Sequence, residues 1–317
     1  MKKLQLLLVI GLLTLFVAAC GTSDKDEKNG AKEGTAEKAE TITVEHELDT
    51  TEVTKNPEKV VVFDFGILDT MDKLGIKVAG VPQAGVIPSY LEKFASEDYG
   101  NVGSLKEPDF EKIAEINPDL IIISSRQSAV YDQLKELAPT IYLGVDPTKY
   151  MDSFKENMQV VADIFDKQSE IDNELKAIDQ SIAGLQEKTK DMDEKALIVL
   201  ANDDKISAYG PNSRFGLIHD VFGVPAVDDK IEASTHGMNV SFEYVLEKDP
   251  AILYVVDRGA AVGGESSAKQ LVENTLVKQT NAYKNDRIKY LDPEFWYLSG
   301  GGLVSVKEMI KEVEESL

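Results

Sequence analysis

Residues 109–126 read DFEKIAEINPDLIIISSR and residues 241–258 read SFEYVLEKDPAILYVVDR; the two stretches align without a gap at an offset of 132. Phe110 matches Phe242, Glu111 matches Glu243, Glu115 matches Glu247, Pro118 matches Pro250 and Arg126 matches Arg258. Each copy predicts a short helix stopped by proline, then a buried strand, then a loop that opens with arginine. A unit that occurs twice argues for two lobes built on one plan.

Outward from the repeat, short apolar runs alternate with helical stretches. Runs at 59–63, 78–81, 120–123 and 141–143 lie on the N-terminal side, with helical patterns at 68–74 and 131–137 between them. A second series occupies 196–200, 206–209, 251–256 and 288–291. Continuous apolar runs suit parallel strands covered on both faces, and their alternation with helices defines an α/β fold. Residues 41–54 alternate in part and predict a strand pair, while 303–316 predict a closing helix. Between the two series Ile171, Leu175, Ile178, Ile182 and Leu185 form one narrow apolar stripe. Ser169 followed by Asp172 marks its start, so the spacing predicts a helix over 169–190, about 33 Å long. The expected architecture is α/β: two Rossmann-like lobes with mainly parallel sheets, 58–166 and 191–317, joined by one long α-helix within 167–190.

Composition narrows the chemistry. The chain has 317 residues, 34 Lys plus Arg against 56 Asp plus Glu, and a formal charge of −22. That balance argues against a nucleic-acid partner, since phosphate contact needs clustered cations. A single cysteine excludes a disulfide framework and any multi-thiolate metal site. Histidines at 46, 219 and 236 are too few for a histidine-rich metal centre.

The first 20 residues carry Lys2 and Lys3, an apolar run over 6–19 and then Cys20, the pattern of an export signal. The sequence VAACG over 17–21 looks like a bacterial lipoprotein box. In that reading Cys20 takes a diacylglycerol and becomes the mature N-terminus, and two acyl chains suffice for stable membrane attachment. Residues 21–40 hold no aliphatic side chain larger than alanine and predict a disordered tether with a reach of roughly 25 Å. The folded part is thereby expected at the extracellular face of a cell membrane.

Open α/β sheets bind ligands beyond the carboxyl ends of their strands. Arg126 and Arg258 fall there, one per lobe, and Arg214 lies in the turn-rich loop GPNSRFG over 210–216 after the strand that ends near Tyr209. Only four arginines stand beside 30 lysines, the fourth being Arg287. A guanidinium is always charged and presents a planar fork of donors, so three of them in one cleft suit a polyanion rich in planar oxygens.

On these residues, and on the stretches VVFDFGILDTMDKLGI, GSLKEPDFEKIAEINPDLIIISSRQS, GPNSRFGLIHDVFG, STHGMNVSFEYV, VVDRG and WYLSGGG, the chain over 58–317 resembles the solute-binding lipoproteins that feed iron-siderophore and cobalamin ABC importers. It is most similar to the catecholate, petrobactin-type branch from Gram-positive bacteria. The resemblance implies a class III periplasmic-binding-protein fold with little closure, a monomer without catalysis or resident cofactor, and a ferric catecholate siderophore as cargo. It implies that Arg126, Arg214 and Arg258 face that complex, and that Glu111 and Glu243 dock the chain onto arginines of the ABC permease subunits. Haem, cobalamin or a hydroxamate siderophore is the alternative cargo within the class; three arginines favour the polyanion.

Trp296 and Tyr297 precede a glycine run, 300–302; an aromatic here is placed to stack on a catechol ring or contact the ligand edge, and a core role is an equal expectation for one of the two. His236 lies in a polar loop ahead of the second repeat and is expected within reach of the cleft, whereas His219 sits among Phe215, Leu217, Ile218 and Phe222 and reads as a packing or capping residue. Direct metal ligation by these histidines is not expected, because the siderophore saturates its iron. A surface-anchored α/β hydrolase is the remote alternative; it needs a G-x-S-x-G elbow, and no such pentapeptide occurs.

Overall fold

The computed structural model describes residues 40–264 and 268–317. The expected leader, the expected lipidation site Cys20 and nearly all of the expected tether lie outside the described residues.

Among the described residues twelve strands make three sheets. A hairpin of β1 (Thr41–His46) and β2 (Asp49–Thr54) is antiparallel. The N-lobe sheet has β3 (Val60–Val62), β4 (Gly80–Val81), β5 (Gly100–Asn101), β6 (Leu120–Ile123) and β7 (Thr140–Tyr142), all parallel, in the order β5-β4-β3-β6-β7. The C-lobe sheet has β8 (Ala196–Asn202), β9 (Lys205–Tyr209), β10 (Met238–Val240), β11 (Ile252–Asp257) and β12 (Ile288–Leu291), in the order β10-β9-β8-β11-β12. Here β8, β11 and β12 are parallel, whereas β9 and β10 run antiparallel, so this sheet is mixed. The tight turn at Asp203 (φ 54°) and Asp204 returns the chain directly from β8 to β9, which a parallel pairing does not permit.

The apolar runs are unbroken because both faces of each sheet are covered. Val60, Val62, Leu120 and Ile122 face one core while Val61, Phe63, Ile121 and Ile123 face another, the period-two alternation of a strand. In the C-lobe Ile198, Leu200, Tyr254 and Val256 point to the same core as Val60 and Val62, and Leu197, Val199, Leu253 and Val255 point away. One apolar core therefore runs through both lobes.

The long helix spans Gln168–Thr189, with Ile171, Leu175, Ile178, Ile182 and Leu185 buried along it. It begins one residue before the expected start: Lys167 stands at the cap with no side-chain cap bond, and Ser169 falls inside the first turn, where Gln168 bonds to Asp172 (3.1 Å) instead. Its stripe packs on the Tyr150–Phe165 helix of the N-lobe and on the C-terminal helix Leu303–Ser316. That last helix also packs on Phe65–Lys73 of the N-lobe, so the end of the chain reaches back across the lobes. The hairpin attaches to the N-lobe through Thr51, whose hydroxyl donates to the Thr140 carbonyl (3.0 Å).

The repeat is structural as well as textual. Asp109 and Ser241 cap the helices Phe110–Ile116 and Phe242–Lys248, each accepting from the backbone N–H three residues on. Asn117 (φ 52°) and Asp249 (φ 42°) close those helices in the left-handed conformation immediately before Pro118 and Pro250. Short polar side chains tolerate that conformation best after glycine.

Candidate functional site

In each lobe the strand order reverses beside the first strand, between β3 and β6 and between β8 and β11. Crevices open at such switch points. Arg126 follows β6 and Arg258 follows β11, so each stands at the switch point of its lobe. Across from them lie the residues that end the first strands, Asp64 after β3 and Asn202 at the end of β8. Arg258 donates through Nη1 to Asn202 Oδ1 (2.7 Å), and the Asp64 carboxylate supports the charge of Arg126.

The three arginines converge on one residue. Arg126 Nη2 and Arg214 Nη2 both donate to the Tyr297 carbonyl, at 2.8 and 2.9 Å. Arg258 Nε donates to the Tyr297 hydroxyl at 3.1 Å. The Arg214 guanidinium lies over the Tyr297 ring, 4.2 Å from its centroid, and 5.3 Å from that of Phe215. Among the described residues Arg287 is the only arginine with a carboxylate within 4.0 Å, Glu194 at 3.6 Å. Although the chain has 56 acidic residues, among the described residues these three partly buried guanidinium groups have no carboxylate within 4.0 Å, and most donors of each fork have no described partner.

Electrostatics follow from that crowding. Burial and then the neighbouring Arg214 lower the Arg126 pKa from its ordinary value, opposed by Asp64. Burial alone would raise the Tyr297 phenol, but Arg214 and Arg258 outweigh it and hold the phenol below its ordinary value. A site that already favours an anionic oxygen on its own side chain will favour one on a ligand.

Trp296 and Tyr297 occur in a single π-helical turn, Glu294–Ser299, a rare conformation that is frequent at functional sites. The turn sends adjacent aromatics to opposite sides. Trp296 is 3% exposed, packs in the shared core and donates its indole N–H to Glu312 (2.5 Å). Of the two aromatics it is therefore Trp296 that takes the core role, its ring filling the core and its one polar atom satisfied there, so it does not fit the ligand contact also expected of it. Tyr297 is the aromatic that the arginines surround.

His236 is exposed, in the loop before β10, with its backbone N–H on Ser234 Oγ (3.1 Å). The next residue, Gly237 (φ 71°), lies against the ring of Tyr209, leaving no room for a Cβ, and Tyr209 packs edge-on against Phe215 beside Arg214. His219 bonds through Nδ1 to the Val224 carbonyl (2.8 Å), and burial lowers its pKa. Glu111 and Glu243 are exposed, each the second residue of its helix. Among the described residues no group of three or more His, Cys, Asp or Glu is arranged to hold a metal ion, and no helix is long and apolar enough to cross a membrane. Sequence reading did not find Asn202 or Asp64; their signal is their place at the ends of the first strands, which strand order alone reveals.

Two α/β lobes with cationic side chains meeting at their switch points define a solute-binding protein, and the chain belongs to the periplasmic binding protein family, whose model matches residues 60–295. Over 100% of this chain and 99% of the other it is 53% identical to petrobactin-binding protein YclQ of Bacillus subtilis. The crystal structure of that protein superposes with a TM-score of 0.85 at 56% identity, covering 87% of this chain and 98% of the other. The periplasmic catecholate-siderophore binding protein VctP of Vibrio cholerae matches with a TM-score of 0.83 at 34% identity, over 87% of this chain and 100% of that one. Ferric-anguibactin-binding protein FatB of Vibrio anguillarum is 32% identical over 86% of each chain.

Proposed function

We propose that this protein is an extracellular receptor that captures a ferric catecholate siderophore of the petrobactin type and delivers it to an ABC importer, without catalysing a reaction. The observation that carries this reading is the convergence of Arg126, Arg214 and Arg258 on Tyr297, with no carboxylate within ion-pair distance among the described residues. Catecholate oxygens are planar, anionic acceptors that such forks match in both charge and geometry. Two relatives named for petrobactin and catecholate binding, each aligned over most of the chain, support the same cargo. Tyr297 would meet the edge of the ligand, with His236 at the rim. The finer parts of the reading are attachment through a diacylglycerol on Cys20, action as a monomer, and docking of Glu111 and Glu243 onto permease arginines. The matched N-terminal helix positions of the two glutamates, one per lobe, support that docking.

The test is fluorescence titration of the full-length, detergent-solubilised protein with ferric petrobactin, ferric enterobactin, a ferric hydroxamate and haem. Saturable quenching by the catecholates, tightest for ferric petrobactin, is expected. Binding of haem or the hydroxamate with no response to either catecholate would keep the fold and discard the polyanion argument.

A further inference from the structure

The segment from Glu294 to Gly302 follows the C-lobe sheet in sequence, yet N-lobe side chains hold it at successive points. Ser89 donates from its backbone N–H and its hydroxyl to Glu294 Oε2, at 2.9 and 2.7 Å. Tyr90 donates to Ser299 Oγ (2.6 Å) and Tyr150 to the Gly300 carbonyl (3.0 Å). Thr70 Oγ1 accepts from the Leu303 N–H (3.0 Å). Arg126 adds its bond to the Tyr297 carbonyl. The strap therefore presents Tyr297 to two C-lobe arginines while being fastened to the N-lobe.

The last fastening is a carboxylate inside the protein. Asp69, in the middle of the Phe65–Lys73 helix, is 0% exposed. Its Oδ1 accepts from the Val304 N–H (3.1 Å), and its Oδ2 accepts from the Ser305 N–H (3.0 Å) and, at greater length, from the Tyr90 hydroxyl (3.4 Å). The start of a helix offers unpaired donors and the positive end of the helix dipole, so an ionised carboxylate is the partner it favours most. The titratable groups facing Asp69 are Asp64 and Tyr90, with Tyr150 near; the C-terminal helix presents backbone N–H groups and Ser305. Burial pushes the Asp69 pKa up to about 7, the bonds from Ser305 and Val304 oppose the rise, and Asp64 adds to it.

We propose that Asp69 is a positioning residue for the ligand site: its carboxylate fastens the start of the C-terminal helix to the N-lobe, and so holds Tyr297, with the Arg126 and Arg214 forks on its carbonyl, in the geometry that receives the ligand. This deepens the proposed function and rests on that reading for its affinity measurement alone. Protonation of Asp69 weakens the fastening, so ligand affinity falls as pH drops from about 8 to about 6.

The lone tryptophan, Trp296, lies in the strap and reports on it. In the full-length protein without ligand, Trp296 emission titrates near neutral pH, and Asp69→Asn abolishes that transition. Glu312, which accepts the indole N–H and is itself raised by burial, stays intact in the variant; a transition that survives Asp69→Asn therefore belongs to Glu312 and overturns the proposal. With ferric petrobactin as probe, Asp69→Asn weakens binding about tenfold at the alkaline end and flattens the pH profile. Wild-type affinity with a wild-type profile would also overturn it. If Asp69→Asn does not fold, Tyr90→Phe removes the hydroxyl bonds to Asp69 and Ser299 and keeps the ring against Phe295. Losing a donor to the carboxylate moves the Trp296 transition to higher pH and weakens binding several-fold; no shift sinks the idea. Should the wild type not bind ferric petrobactin at all, the siderophore reading fails on its own, and the ligand-free titration still decides the role of Asp69.

Discussion

Among the described residues Arg126, Arg214 and Arg258 form no ion pair, which is costly for partly buried charges unless something else uses them. Replacing each singly by alanine should weaken ferric-catecholate binding more than tenfold, read by fluorescence titration; unchanged affinity in all three would remove the site assignment. Arginine-to-lysine changes should not restore binding, since a point charge cannot reproduce the planar fork. The Tyr297 phenol offers an independent readout. The arginines favour its ionised form, so one tyrosine should ionise below the usual value of about 10, and Tyr297→Phe should delete that step from the ultraviolet titration. The sign is that of a depressed acid: its ionisation adds stability as pH rises through the folded-state value toward the ordinary one. Arg126 and Arg258 were legible because the repeat marks strand ends, and Arg214 because its turn-rich loop follows an apolar run. The division of labour between Trp296 and Tyr297 was not, since adjacent aromatics before a glycine run look alike until a π-turn sends one inward. Asp69 was invisible for a similar reason: an acidic residue within a short helix reads as a solvated position, and only the arrival of a helix more than 230 residues later, at Val304 and Ser305, buries it.

At the scale of elements, the bridging helix was readable almost to its ends, because a four-three spacing of Ile and Leu over five positions has one helical solution. Burying each of these side chains stabilises the fold by about 1.5–3 kcal/mol relative to exposure. Two of the three strands that run parallel in the C-lobe flank β11, whereas the antiparallel return of β9 depended on the Asp203–Asp204 turn and escaped a reading based on apolar runs alone. The glycines at 300–302 were legible as a turn into the last helix, but the reason for each is tertiary. Gly300 (φ 48°) ends the π-turn in the left-handed conformation, and a Cβ on Gly302 would collide with the Gly66 carbonyl and the Asp69 carboxylate. Gly302→Ala should therefore destabilise the protein by about 1–3 kcal/mol through overpacking, seen as a lowered thermal midpoint; an unchanged midpoint would show that the strap and the Phe65–Lys73 helix can part without loss.

For the whole molecule, net charge and local charge have opposite signs. A chain at −22 repels a polyanion at long range, so in the proposed receptor capture would depend on arginines that act within a Debye length of about 8 Å at physiological salt. The outer face carries the complementary test. Glu111 and Glu243 lie outside the arginine cluster, so Glu111→Ala together with Glu243→Ala should leave ligand affinity unchanged and lower iron uptake by cells at least several-fold; full uptake would sink the docking role. Sequence by itself determined the two-lobed α/β plan, the bridging helix, the strand-end arginines and the paired glutamates, because all of these follow from local periodicity or from a repeat within one chain. Only the tertiary structure decided that the arginines meet on Tyr297, that Trp296 belongs to the core and that the C-terminal helix is fastened to the N-lobe. Those facts depend on contacts between segments far apart in sequence, which no local pattern encodes and which the packing of one core through both lobes brings together.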